Sequence, residues 1–118
     1  MRAVPPPDIA PEEFFARWLP WVVEHDAPRR AQLGDTRATI AFELEGEGGG
    51  LFHVRIAAGA VSGGAGEPEP ADLRVRVDVA SWRALNAGTL SAPRALLQRK
   101  VHLHGNLVLA VKLHLIIG

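Results

Sequence analysis

The stretch Leu73-Arg74-Val75-Arg76-Val77-Asp78, with Trp82-Arg83-Ala84-Leu85-Asn86-Ala87-Gly88 close behind it, decides the fold class. Leu73, Val75 and Val77 alternate with Arg74, Arg76 and Asp78, the pattern of a strand buried on one face. The period then changes. Ser81 can cap a short helix over residues 82–87, and Gly88 supplies a left-handed stop. Downstream, Ser91 can cap another helix, with Pro93 in its first turn and Leu96 and Leu97 on its inner side. Val101 and Leu103 alternate with His102 and His104 in a short strand, and Gly105-Asn106 turns into residues 107–117. Nine of those eleven residues are apolar, which blurs the period. A helix and a buried strand both fit, and the length favours a helix.

Upstream, Ala38, Ile40, Phe42 and Leu44 alternate with Thr39, Ala41, Glu43 and Glu45 in a half-buried strand. Gly46-Glu47-Gly48-Gly49-Gly50 turns it into a second strand, where Phe52, Val54 and Ile56 alternate with His53 and Arg55. Ala58-Gly59 turns into a short third strand around Ala60-Val61-Ser62. Residues 63–71 read as a loop crossing the fold. Before the strands, Phe14, Trp18 and Trp21 recur at helical spacing, with Asp8 as a cap and Pro11 in the first turn. Pro20 lacks the N–H for the carbonyl of Ala16, which predicts one helix to about Leu19 and a second restarting at Pro20 and running to His25. One more turn is expected over residues 28–33, closed by Gly34. Residues 1–10, with Pro5-Pro6-Pro7, read as a mobile lead-in, and residues 11–118 as one domain. Helices, then a largely antiparallel meander, then helices returning to its apolar face define an α+β class.

The chain has 118 residues, 13 Lys+Arg and 13 Asp+Glu, for a formal net charge of zero. That length suits a single core. The zero hides an asymmetry. Residues 1–71 carry 6 basic and 11 acidic side chains, and residues 72–118 carry 7 basic and 2 acidic. No cysteine is present, so disulfides, thiolate metal sites and cysteine nucleophiles are excluded. The start of the chain has no apolar signal core, and 107–117 is too short to span a bilayer, which needs about 20 residues. A soluble cytoplasmic domain is expected.

Catalytic chemistry finds little to work with. The hydroxyls of Thr36, Thr39, Ser62, Ser81, Thr89 and Ser91 read as caps, turns or strand-surface groups, and no Gly-x-Ser-x-Gly elbow occurs. His102 and His104 share an outer strand face about 7 Å apart, but a catalytic metal usually needs three protein ligands. No metal site is assigned. His25 and His114 read as core-edge histidines. The glycine run 46–50 joins two strands and lacks the Gly-Lys-Ser/Thr ending of a phosphate loop. Glu43, Glu45 and Glu47 form a solvated edge. The basic second half has no aromatics alternating with its cations, so no nucleic-acid platform is assigned. A non-catalytic protein without a cofactor is expected. The positive signal is apolar: the inner face carries Phe14, Trp18, Trp21, Phe42, Phe52 and Trp82 among many aliphatics. Such a face closes as an ordinary core or leaves a cavity for an apolar ligand, and composition alone leaves both open.

The order of elements carries a resemblance. Asp72-Leu73-x-Val75-x-Val77, Trp82-x-x-Leu85-Asn86-x-Gly88, Ala92-Pro93-x-Ala95-Leu96-Leu97 and Lys100-Val101-x-Leu103-x-Gly105-Asn106-Leu107-x-x-Ala110-x-x-Leu113 together resemble the sterol carrier protein type 2 domain family. Pro11-Glu12-Glu13-Phe14-Phe15 resembles the opening helix of bacterial members, Gly48-Gly49-Gly50-Leu51-Phe52-His53-Val54-x-Ile56 their first hairpin, and Ala58-Gly59-Ala60-Val61 their glycine turn. The resemblance implies a five-stranded, mainly antiparallel sheet with helices on one face, an apolar tunnel between them, and a helix over 107–117. It also implies that the second and fifth strands are not neighbours, which removes His53 as a third ligand to His102 and His104. One position departs: Arg99 stands where a glycine usually precedes the lysine matched by Lys100.

The function this implies is binding of an apolar lipid (fatty acyl, isoprenoid or sterol-like), with transfer or presentation of it. The alternative is an interaction or dimerisation module of the same fold with a closed cavity, accessory to a lipid or quinone biosynthesis enzyme. Cavity candidates are Phe42, Phe52, Val54, Val75, Leu85, Leu96, Leu97, Leu109 and Leu113, with Trp18 and Trp21 as lid or core. Arg94, Arg99 and Lys100 are expected to form a positive rim for a carboxylate, a phosphate or an anionic membrane surface. Transient membrane contact and a homodimer are left open.

Overall fold

The computed structural model describes residues 3–68 and 70–117. The chain is helical without interruption from α1 (Pro11–Glu13) through a π-helical stretch (Phe14–Trp18) into α2 (Leu19–His25). The break expected at Pro20 does not occur. The Leu19 N–H donates to the carbonyl of Phe14, five residues back, so the helix is already widened where Pro20 has no N–H to give. The N-cap position is Ala10, without a side-chain cap, and Asp8 does not serve there. In the turn that follows, α3 (Ala27–Ala31), the Asp26 side chain accepts from the Arg29 N–H at 3.1 Å.

Three strands follow as two hairpins, β1 (Ala38–Glu45), β2 (Gly50–Ala57) and β3 (Ala60–Ala65). β4 (Leu73–Asp78) and β5 (Val101–Gly105) complete one sheet in the order β3-β2-β1-β4-β5. The meander ends at β3. The segment after it carries the chain to the other side of β1, so β4 lies parallel to β1 while the other three pairings are antiparallel. The inward rows Ile40-Phe42-Leu44, Phe52-Val54-Ile56 and Leu73-Val75-Val77 are all buried, as period-two alternation requires. Asp72 ties this crossover down: Thr39 N–H donates to its carboxylate at 2.8 Å, and Asn106 N–H donates to its carbonyl at 2.9 Å.

β3 continues through Gly63 to Ala65, residues expected in the loop. A Cβ at Gly63 would stand 2.5 Å from the carbonyl oxygen of Phe15 and 2.7 Å from that of His53. The glycine is there because the helix backbone lies directly on the strand, not because the chain turns.

α4 (Val79–Ala87) starts three residues earlier than expected. Its cap is Asp78, whose carboxylate accepts from the Ser81 N–H at 2.8 Å, and Ser81 lies buried inside the helix. Gly88 closes it in the left-handed conformation. α5 (Ala92–Leu97) is capped by Ser91, and residues 107–117 form a helix, α6 (Leu107–Ile117).

Between the helices and β1–β2 the core is aromatic. The Phe15 ring lies 4.7 Å from Phe42 and 5.2 Å from Phe52, while Phe14 meets Trp82 edge-on at 5.2 Å and stacks on Trp18 at 5.4 Å. Each of the buried rings among them contributes roughly 1.5–3 kcal/mol, and well-placed ring pairs add to that. The lead-in is fastened at three carbonyls: Arg29 donates to Ala3 at 2.8 Å, and Arg83 donates to Pro7 and Ile9 at 2.9 and 3.0 Å.

Candidate functional site

The apolar layer is sealed on one side of the molecule and not on the other. Over β1 and β2 the inward side chains are covered by the π-helical stretch. Over β4 and β5, the covering elements are α4, α5 and α6. Val75 and Val77 of β4 are buried, but their partners across the ladder, Leu103 and Val101 of the edge strand β5, are only half-buried. Leu85 on α4 and Ala110 on α6 are half-buried too, and all four pack against the core. Leu109 and Leu113 of α6 complete the layer from beneath.

The expected cavity residues therefore fall into three groups. Val75, Leu85, Leu109 and Leu113 meet in this half-open layer. Phe42, Phe52 and Val54 lie in the sealed half, where the Phe15 ring fills the space between the two phenylalanines. Leu96 and Leu97 do not face inward. They are 44% and 85% exposed, and the inner position of α5 is Ala95, fully buried. A helix this short presents one residue to the sheet, and the alanine holds it close.

Trp18 packs on Phe14 beneath the buried Arg29 guanidinium, 5.7 Å from its ring, and is part of the core. Trp21 is 53% exposed, stacks on His25, and lines an open crevice of about 670 Å³ with Val22, Pro28 and Leu115. Val101, Leu103 and Ala110 were not singled out from sequence. For Val101 and Leu103 the signal was their alternation with His102 and His104, which marks an inward face, whereas Ala110 lies in the apolar stretch 107–117 whose period is blurred.

The cations expected as a rim, Arg94, Arg99 and Lys100, are exposed on α5 and the turn behind it. Arg99 adopts φ +57, the left-handed conformation the glycine of the family would take without strain. Lys100 lies near Asp78. The Asp78 carboxyl is held below its ordinary value of 3.8, first by the hydrogen bond from the Ser81 side chain, then by the Ser81 backbone N–H, with Lys100 adding to both.

The opposite sheet face carries a second open cleft, of about 310 Å³, lined by Glu43, Arg74, Arg76, His102 and His104. Arg74 pairs with Glu67, and Arg76 lies 3.8 Å from Glu45. β2 and β5 stand on opposite sides of the β1–β4 pair, which separates His53 from His102 and His104. Among the described residues no group of three or more His, Cys, Asp or Glu is placed to hold a metal ion. His114 is exposed rather than at the core edge, and His25 bonds the Trp21 carbonyl at 2.9 Å. No helix among the described residues is long and apolar enough to cross a membrane.

The sheet is five-stranded and mainly antiparallel, with helices on one face and an apolar layer left partly uncovered over β4 and β5. The chain belongs to the SCP-2 sterol transfer family, whose profile matches residues 22–117. No curated protein sequence matches the chain. Among solved structures, the palmitated SCP2L2 protein of Aedes aegypti is similar with 23% identity and a TM-score of 0.68, covering 89% of this chain and 92% of that one. A Thermus thermophilus protein is similar with 19% identity and a TM-score of 0.65, over 98% of this chain and 91% of that one. The sec-alkylsulfatase Pisa1 from Pseudomonas sp. has a TM-score of 0.68 at 17% identity, with 92% of this chain covered. The chain spans only 16% of that enzyme's length, so the fold also occurs as a part of longer proteins.

Proposed function

We propose that the protein binds one apolar lipid, non-catalytically, in a tunnel opened between α4–α6 and β4–β5, and holds it for transfer or presentation. The observation that carries this reading is the half-buried row Val101, Leu103, Leu85 and Ala110, an inward apolar surface that the fold leaves partly uncovered. Family membership supports it, as does the palmitated state of the Aedes aegypti relative. Each methylene moved from water into such a layer is worth about 0.8 kcal/mol, so a ten-carbon segment supplies about 8 kcal/mol before the costs of ordering and of parting the helices from the sheet. Arg94, Arg99 and Lys100, where α5 turns into β5, supply a cationic rim for a carboxylate or phosphate headgroup.

The test is a titration with a fluorescent fatty acid, repeated on Leu85→Trp and Leu103→Trp, which fill the layer from opposite walls. The wild type binds, and each variant binds about tenfold more weakly for the space it removes. Equal binding by all three proteins, or none by the wild type, overturns the reading.

A further inference from the structure

One inward row of side chains runs across four strands of the sheet. Leu103 pairs with Val75, Val75 with Phe42, and Phe42 with Phe52, so the row leads from the β5 edge to β2. Its first two members are aliphatic and belong to the half-open layer, and its last two are rings. Phe15 stands over those rings. It is fully buried, and its ring is met by four others: Phe42 at 4.7 Å, Phe14 at 5.0 Å, Phe52 at 5.2 Å and Trp82 at 6.3 Å. Trp82 and Leu85 lie one turn apart on α4, so the rings end and the half-open layer begins along the same helix. The ring is held in place. The Phe15 carbonyl rests on Gly63, which fixes the height of the helix above the sheet. In an interior packed at crystal-like density, a ring enclosed on four sides swings aside only if its neighbours move.

The row therefore has an open length and a closed one. Strands lie about 4.8 Å apart, so the path from Leu103 through Val75 to Phe42 is about 10 Å, and the whole row to Phe52 about 14 Å. An extended chain advances about 1.2 Å per carbon, since three backbone bonds span about 3.4 Å. The open length holds about eight carbons and the whole row about twelve. We propose that Phe15 sets the length of ligand the protein takes: an acyl chain of about eight to ten carbons enters from the β5 edge, and the Phe15 ring stops its tail at β1. The proposal rests on the lipid-binding reading above and makes Phe15 a specificity-determining residue of that site.

The experiment is isothermal titration of the whole protein with octanoate, decanoate, dodecanoate and tetradecanoate. The wild type gains affinity about fourfold per methylene up to decanoate, and less than about twofold in all beyond it. Phe15→Ala carries the gain on to tetradecanoate. Phe15→Leu, which keeps an aliphatic side chain in the core, is the second variant should Phe15→Ala unfold, and it carries the gain on to dodecanoate. The readout is the length at which the gain stops. Lost packing alone lowers affinity for all four acids together and leaves that length unchanged, so a gain that still stops at decanoate in the folded variants overturns the proposal. A wild-type gain that continues undiminished to tetradecanoate also overturns it, and leaves the lipid-binding reading standing. Failure of the wild type to bind any of the four acids overturns both.

Discussion

The backbone of Phe15 rests directly on Gly63. A Cβ on that glycine would stand 2.5 Å from the Phe15 carbonyl oxygen, with the His53 carbonyl 2.7 Å away on the other side. Neither obstacle is a side chain that can swing aside. The contact sets the height of the π-helical stretch above the sheet, and with it the position of the Phe15 ring between Phe42 and Phe52. Gly63→Ala must lift the helix or bend β3. It is expected to cost about 3 kcal/mol, a drop of about 10 °C in melting temperature, which a thermal scan by circular dichroism reads.

The same contact shows what alternation and composition convey. Period-two patterns located β1, β2, β4 and β5 and their inward faces, because burial on one face leaves a mark at every second residue; only the start of β3 was legible, from the Ala58-Gly59 turn. They did not locate β4 beside β1, since alternation reports which way a side chain faces and says nothing of its neighbour. Gly63 and Gly64 read as loop residues, because a glycine required for close approach looks the same in sequence as one required for a turn. Pro20 read as a break because the π-helical stretch that absorbs it has no sequence mark of its own. The inward placement of Val75 was legible from its alternation, whereas the burial of Leu109 and Leu113 depended on the resemblance that makes residues 107–117 a helix. Leu96 and Leu97 were misplaced, because six residues of helix give too little periodicity to tell an inner leucine from an outer one. Alanine at position 95 holds the inner position instead.

Arg99 stands in the left-handed region at φ +57, which costs a non-glycine residue roughly 1–2 kcal/mol. Arg99→Gly relieves this strain and is expected to raise stability by about 1 kcal/mol, less than the strain because glycine gains freedom in the unfolded chain. Denaturant unfolding measures it as a shift of the midpoint at unchanged slope.

If Arg99 also serves the headgroup, the strain has a functional reason, and the two effects separate in one variant series. Arg99→Gly and Arg99→Glu are both expected to weaken binding of a charged lipid, the second by about tenfold, and added salt is expected to weaken the wild type. Binding of an uncharged lipid is expected to be unaffected. Binding of the charged lipid that ignores both salt and Arg99→Glu removes the rim.

Asp78 joins β4 to α4, and its carboxyl is held below the ordinary 3.8 by Ser81. A group whose folded-state value is depressed stabilises the fold fully above its unfolded value and loses that contribution as the pH falls through the folded one. Asp78→Ala is expected to cost about 1 kcal/mol at neutral pH through the lost cap. Asp78→Asn keeps an acceptor and loses the charge, so the gap between wild type and this variant should shrink as the pH is lowered from about 5 to about 2. Melting temperatures across that range check the sign: a gap that widens in acid contradicts it.

On the function proposed above, the half-open layer under α4–α6 takes up a lipid. Native mass spectrometry of freshly purified protein, before and after solvent extraction, tests it most directly. The expected result is a species heavier than the bare chain by the mass of one lipid, lost on extraction and restored by incubation with a fatty acid. A spectrum showing only the bare chain, unchanged after incubation with fatty acid, isoprenoid and sterol in turn, would contradict it.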